Sequence, residues 1–364
     1  MNTEIIKIIE GGLSRDRAKV IKFAKLLANN VRESGNKSLS SRIEKMLSSS
    51  KNANYVVADK LEAIPVDEES RFGIADTLFP NDEKQKLVLP SFVEDQINDF
   101  IEGILKRDEI LKYNVPLNNS LLLYGPPGCG KTSIAIDIAM RLQLPLITGR
   151  LDATVSSLLG STAKNIKKLF AYASDKPCIL FLDEFDAIAK ARDDVNELGE
   201  LKRVVNTLLQ NIDQFTDNNI LIAATNHHQL LDRAVWRRFS QVIYIGLPDI
   251  ENRIELIRIY IGTYLNDFIE DDKRIINLAH LLDNKSPSDI KSLCSATIKN
   301  NIVKGKKLIE YPEILYEIYK TTKYTEYNLE NLVKFLSENG ATQAAITQLL
   351  NLSIRNVRSI LAEK

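Results

Sequence analysis

The chain is poor in the residues that build disulfide scaffolds, metal centres and strong electrostatic fields. Its 364 residues hold three cysteines (Cys129, Cys178 and Cys294), three histidines and one tryptophan. Three cysteines without metal-ligand spacing exclude a zinc-ribbon or disulfide framework, and an odd set points to a reducing compartment. His227 and His228 are adjacent with no third ligand at suitable spacing, so they read as turn residues. Neither sign of charge is in excess, since 48 Lys plus Arg balance 48 Asp plus Glu. A zero balance supplies no global field for nucleic acid or anionic membrane and leaves any such binding to a local patch. No run approaches the roughly 20 apolar residues that cross a bilayer, and the first residues carry no apolar signal core. The expectation is a cytoplasmic protein without a membrane partner.

What is present is concentrated in one octapeptide. Residues Gly125, Pro126, Pro127, Gly128, Cys129, Gly130, Lys131 and Thr132 form a complete phosphate-binding loop, GPPGCGKT. The apolar run Leu121 to Tyr124 before it has the length of a buried parallel strand, and the segment from Thr132 and Ser133 onward has the apolar face of a helix. Strand, glycine loop and helix N-terminus together make an anion cradle. The glycines leave backbone N–H groups open to phosphate oxygens, Lys131 supplies charge to the terminal phosphates, and the Thr132 hydroxyl is a ligand for Mg²⁺. ATP and Mg²⁺ are the expected cofactors. Cys129 reads as a small side chain at a variable loop position, with thiol sensitivity of the loop as the alternative.

A second apolar run, Cys178 to Leu182, ends in Asp183 and Glu184. Carboxylates at the C-terminal tip of a strand lie where a doubly wound sheet binds ligands. Asp183 is expected to hold the metal together with Thr132, and Glu184 to orient and polarise the attacking water, which points to hydrolysis beyond binding. A third run, Ile220 to Thr225, ends in Asn226, placed to hydrogen-bond the water or the γ-phosphate.

Further strands at Leu146 to Thr148 and Val242 to Ile245 alternate with helical patterns. The fold class is therefore α/β, a parallel sheet sandwiched by helices, followed by an all-helical lid and flanked by small helical N- and C-terminal units. The expected divisions are a helical hairpin over 1–51, a linker over 52–87, the sheet domain over 88–248, the lid over 249–325 and a C-terminal segment over 326–364. Within 1–51, eleven basic residues against five acidic leave +6 on a unit too small to be an enzyme, read as a docking module or else a solvated basic face.

With these residues in place, positions of about 88 to 300 resemble an AAA ATPase module, near the branch containing katanin, spastin and the ESCRT-III-disassembling ATPase, and a bacterial member of it. The resemblance rests on the phosphate loop, Asp183-Glu184, Asn226 and Arg237-Arg238. It also rests on Arg203 to Asn206, Asp213-Gln214-Phe215 and Ser286 to Ile290, the last like the start of the family's sensor-2 helix. It implies a ring, usually a homo-hexamer, in which Arg237 and Arg238 act catalytically in the next subunit's pocket. It also implies a protein substrate gripped by a pore loop near Leu158 to Gly160, where Leu158 replaces the family's usual aromatic residue. Gln214 replaces the glycine of the family's intersubunit signalling motif. Some bacterial ATPases of this layout are associated with subtilisin-like proteases, which adds a protease as an implied partner.

Residues 336–362 read as a helix-turn-helix: Ala341 to Leu350, a turn at Asn351 to Ser353, then Ile354 to Leu361. Ile346, Leu349, Leu350, Val357 and Leu361 would form its core and leave Ser353, Arg355, Asn356 and Arg358 exposed. Two functions follow. The ATPase remodels or unfolds proteins; alternatively it is DNA-associated through this segment, in regulation or in genome and phage defence. The net charge of +2 from Asn331 to Lys364 is low for a DNA reader.

Overall fold

Strand β2 (Ser120–Tyr124, SLLLY) is apolar through its middle because it is covered on both faces, and Leu121, Leu122 and Leu123 are fully buried. This is a computed structural model. It describes residues 7, 23, 24, 26–28, 30, 31, 74–80, 86–115, 119–150, 159–187, 198–215, 219–322 and 328–362, with backbone alone at 150, 159–161 and 198–203. The hairpin expected over 1–51, most of the 52–87 segment and Leu158 of the pore loop lie outside the described residues.

The chain divides into two compact units. One comprises Met1–Glu83, Ala139–Leu182 and Gly199–Leu221, the other Lys84–Ile138, Asp183–Leu198 and Ile222–Lys364. The first unit carries the edge strand β1 (Ala75–Leu78), antiparallel to β3 (Leu146–Arg150) with Ala75 opposite Gly149 and Leu78 opposite Leu146. It also carries most of β4 (Ile179–Asp183) and the start of β5 (Ile220–Thr225). In the second unit β2 runs parallel to β6 (Gln241–Tyr244), with Leu121 opposite Gln241 and Tyr124 opposite Tyr244. Strand order is β1-β3-β4-β5-β2-β6.

The mixed α/β architecture with a mostly parallel sheet is as the alternation of patterns implies, and β1, inside the segment read as linker, is antiparallel to its neighbour β3. Four residues are too few for a period of two to stand out beside Pro80 and mixed charges.

Helices α1 (Ser91–Leu105), α2 (Arg107–Leu111) and α3 (Lys131–Leu142) belong wholly or mostly to the second unit. Helices α4 (Leu159–Ser174) and α5 (Leu198–Phe215) supply the first unit's core, where Phe170 and Phe215 meet edge to face at 5.5 Å.

Past β5 come the single turn α6 (Arg233–Trp236) and then β6. Next comes the segment read as the lid, with α7 (Ile250–Ile261), α8 (Asp272–Leu281), α9 (Pro287–Val303) and α10 (Tyr311–Thr322) and the two-residue strands β7 (Leu265–Asn266) and β8 (Leu308–Ile309). Three of these helices start on side-chain caps, Asp249 accepting from Asn252 N, Asp271 from Lys273 N, and Ser286 from Asp289 N. Three further helices complete the chain: α11 (Leu329–Glu338), α12 (Gln343–Leu350) and α13 (Ile354–Ala362). The turn between the last two is made by Asn351 in the left-handed conformation, φ 54°. Ile346 and Val357 are fully buried, and Ser353, Arg355, Asn356 and Arg358 are exposed. Their buried residues are continuous with those of the lid, Leu278, Ile314 and Ile318 among them.

Candidate active site

The phosphate loop takes its shape from three glycines at positive φ, Gly125 at 146°, Gly128 at 76° and Gly130 at 94°. Two of these positions also lack room. A Cβ at Gly125 would lie 2.0 Å from the Ile245 carbonyl oxygen, and one at Gly128 would lie 2.6 Å from Ser286 Oγ and 3.0 Å from Ser288 Cβ. The loop is thus pressed between Ile245, directly after β6, and the N-terminus of α9, where Ser288 N donates to the Gly128 carbonyl at 3.2 Å.

Lys131, first residue of α3, is buried, and its ammonium donates to the carbonyls of Gly125 and Pro126, both at 2.8 Å. Burial pulls its pKa below the ordinary lysine value, and the negative field of Cys129, Asp183 and Asp186 opposes that pull. Cys129 is itself buried, which raises its thiol pKa, and Lys131 opposes that rise. A raised pKa disfavours the reactive thiolate, in keeping with the small-side-chain reading.

Thr132 Oγ1 donates to Asp183 Oδ2 at 2.9 Å, and the other oxygen of that carboxylate accepts from Glu184 N at 2.9 Å. Glu184 is exposed and sits in the left-handed region at φ 50°, a conformation that costs about 1–3 kcal/mol in a residue other than glycine. The turn is fixed from behind, where Phe185 N donates to the Ala224 carbonyl at 2.9 Å. Asp186 is buried and accepts from Thr225 Oγ1 at 3.0 Å, and the same hydroxyl accepts from His227 N at 3.1 Å. That pair holds the backbone on either side of the half-buried Asn226.

Asp186 and Thr225 were not singled out in the sequence. A second acid three positions after Asp183 was the available signal. In sequence Ser286 and Ser288 signal only a helix start, and the capping box Ser286-Asp289 is what puts them against Gly128.

The paired arginines separate in the structure. Arg238 is half-buried and its Nη1 donates to the Ala234 carbonyl at 2.9 Å, whereas Arg237 is exposed. Among the described residues, Arg237 lies outside the hydrogen bonds that join Lys131 to the loop and Thr132 to Asp183. The oxygen atoms of Thr132 and Asp183 are the hard donor set that suits Mg²⁺, and they stand 2.9 Å apart beside the loop.

A glycine loop between buried strand and helix, a buried lysine-to-carbonyl clasp, and an acidic pair on a strand tip define the class as a P-loop nucleotide-binding protein. Residues 121–247 match the ATPase family associated with various cellular activities (AAA). The chain is 35% identical over 245 residues to the AAA family ATPase y4kL of Sinorhizobium fredii (strain NBRC 101917 / NGR234), covering 66% of this chain and 72% of that protein. It is 33% identical over 239 residues to a proteasome-activating nucleotidase of Saccharolobus islandicus (strain Y.N.15.51 / Yellowstone #2), covering 63% of this chain and 60% of that one. To the peroxisomal ATPase PEX6 of Saccharomyces cerevisiae (strain ATCC 204508 / S288c) it is 29% identical over 250 residues, covering 66% of this chain and 23% of that protein. The chain belongs to the AAA family of ATPases, and it binds and hydrolyses ATP.

Proposed function

We propose that this ATPase works as a ring, six subunits in the family's usual arrangement, and couples hydrolysis to remodelling or unfolding of a protein substrate. The observation that carries the reading is the division of the site. One chain brings the loop, Lys131, Thr132, Asp183 and Glu184 together, while Arg237 is exposed on the segment after α6 and outside their hydrogen-bond set. An exposed arginine beyond the set is what a site completed by a neighbour requires.

In this mechanism the loop amides and Lys131 bind and orient the phosphates of ATP. Thr132 and Asp183 would hold Mg²⁺, which when bound would neutralise phosphate charge. Glu184, free on the solvent side, accepts the proton of the attacking water, and Asn226 positions that water. Arg237 and Arg238 of an adjacent subunit stabilise the charge that develops on the γ-phosphate. The name of one relative, a proteasome-activating nucleotidase, supports a protein-handling role, with cytoplasmic action and the katanin and spastin branch as the finer reading. Threading through the loop near Leu158 to Gly160, choice of client by the segment 1–51 and a subtilisin-like protease partner belong to the same reading.

The test is turnover in variants and in mixtures. Glu184→Gln is expected to bind ATP but lose at least about 100-fold in kcat. Arg237→Ala rings are expected to be inactive and to regain activity when mixed with Glu184→Gln subunits, whose arginines complete the Arg237→Ala pockets. No gain on mixing would overturn the shared site.

A second reading has one observation in its favour: Ser353, just ahead of α13, and Arg355, Asn356 and Arg358 on it are exposed, with Arg358 Nε donating to Gln343 Oε1 at 3.2 Å. A DNA-associated ATPase predicts salt-sensitive duplex binding that is lost in Arg355→Ala plus Arg358→Ala. Binding that ignores both substitutions would remove it.

A further inference from the structure

Four aromatic rings from four separate segments meet beside the phosphate loop. Tyr124 ends β2 immediately before Gly125, and its ring centroid lies 5.0 Å from His228, 5.4 Å from Trp236 and 5.2 Å from Tyr244. Trp236 stands edge-on to Tyr124 at 81°, and it also faces His228 at 6.4 Å. Each ring adjoins an element of the site. Tyr124 leads into the loop, His228 lies two positions after Asn226, and Trp236 directly precedes Arg237. Tyr244 precedes Ile245, whose carbonyl closes on Gly125.

The cluster is not ordinary core. Tyr244 is 50% exposed, and His228 is exposed. The element it braces is weak by itself. Helix α6 is one turn of four residues, started by Asp232 accepting from Ala234 N, and Arg237 N reaches Arg233 O only at 3.4 Å. So short a helix has almost no intrinsic persistence and must take its orientation from side-chain packing. Val235 and Phe239 anchor one face in the core. The Trp236 ring anchors the other, on the tyrosine that leads into the loop.

We propose that Trp236 is a positioning residue for Arg237, linking it through Tyr124 to the phosphate loop of its own chain, so that nucleotide in one pocket sets the arginine offered to the next. This deepens the shared-site reading and rests on it. The link is a two-state coupling between a ligand site and a remote group, so it must appear as a reciprocal change at Trp236 when nucleotide binds.

Trp236 is the one tryptophan of the chain, so its fluorescence reports on this contact directly. A non-hydrolysable ATP analogue is expected to shift the emission of the full-length protein and to leave it unshifted in Tyr124→Leu with the analogue still bound. Trp236→Ala is expected to lower kcat about tenfold with analogue affinity within about twofold of wild type, and Trp236→Phe to recover most of the loss. Trp236→Ala subunits mixed with Glu184→Gln subunits should gain activity, because the arginine entering their pockets then comes from a chain with Trp236 in place. A folding defect confined to the Trp236→Ala subunit could not be rescued in this way. If Arg237→Ala gains activity in the same mixture and Trp236→Ala does not, the positioning role is wrong and the shared site stands. If neither gains, the shared site itself has failed. Emission indifferent to the analogue in wild type also overturns the coupling.

Discussion

Thr132 Oγ1 donates a 2.9 Å hydrogen bond to Asp183 Oδ2, joining the first turn of α3 to the tip of β4 across 51 positions of sequence. Two oxygen donors held this close share one cation or one proton, and a hydroxyl that already points at the carboxylate needs little rearrangement to share a metal with it. Thr132→Ala and Asp183→Asn are each expected to raise the Mg²⁺ concentration for half-maximal turnover by about 10- to 100-fold. Magnesium titrations of ATPase rate check this. An unchanged midpoint in both variants would assign the pair a structural role only.

Lys131 gives a prediction in which stability and function move oppositely. Its burial lowers its pKa, so between its folded and unfolded values the unfolded chain holds the extra proton. By the sign of the linkage, this residue's contribution to stability rises with pH inside that window and is least favourable below it, at neutral pH. Lys131→Met removes the buried charge and keeps most of the volume. Without nucleotide, its Tm at neutral pH is expected to match or exceed wild type, with the difference shrinking as pH approaches about 10. ATP should raise the Tm of wild type by mass action and not that of the variant. A variant melting well below wild type at neutral pH would contradict the account.

Gly125 and Gly128 separate two kinds of crowding. At Gly125 the obstacle is backbone, the Ile245 carbonyl at 2.0 Å, and the φ of 146° is closed to side chains as well. Gly125→Ala is expected to cost on the order of 3 kcal/mol and to be read as a large fall in Tm. At Gly128 the obstacles are the Ser286 and Ser288 side chains on the lid helix α9. Gly128→Ala should weaken ATP affinity about tenfold with a smaller change in Tm, and Gly128→Ala combined with Ser286→Gly should recover part of the affinity. Equal Tm losses in the two single variants would refute the distinction.

How much of this was legible in the sequence depends on how local each feature is. The loop, Asp183 and Glu184 are contiguous strings whose chemistry is carried by neighbours in sequence, so strand, glycine turn and acid could be read together. The Asp186–Thr225 bond joins residues 39 apart, and only the adjacency of two strand tips makes it. The four-ring cluster draws on positions 124, 228, 236 and 244, and no periodicity relates them. Strand β1 escaped because an edge strand of four residues leaves no pattern to count, whereas β2, β4 and β5 are buried on both faces and announce themselves as apolar runs.

The C-terminal helices show the converse, a motif readable as helices whose packing partner was not. Within α11 to α13, Leu332, Val333, Leu336, Ile346 and Val357 are each fully buried, and they share one core with Ile314, Leu315 and Ile318 of the lid. Asn277 of α8 reinforces the junction, its amide donating to Tyr311 Oη at 2.9 Å and to Asn339 Oδ1 at 3.2 Å. Removing a methyl-bearing side chain from such a core costs about 1–3 kcal/mol, so Val357→Ala should lower the Tm of the ATPase by several degrees. Since α9 of the same lid presses on Gly128, the loss should extend to ATP affinity, while Arg355→Ala on the exposed face of α13 should alter neither. Thermal melts with and without nucleotide distinguish the outcomes. A Val357→Ala protein with unchanged melting would mean that the last two helices are an appendage, free to serve a partner without consequence for the nucleotide site.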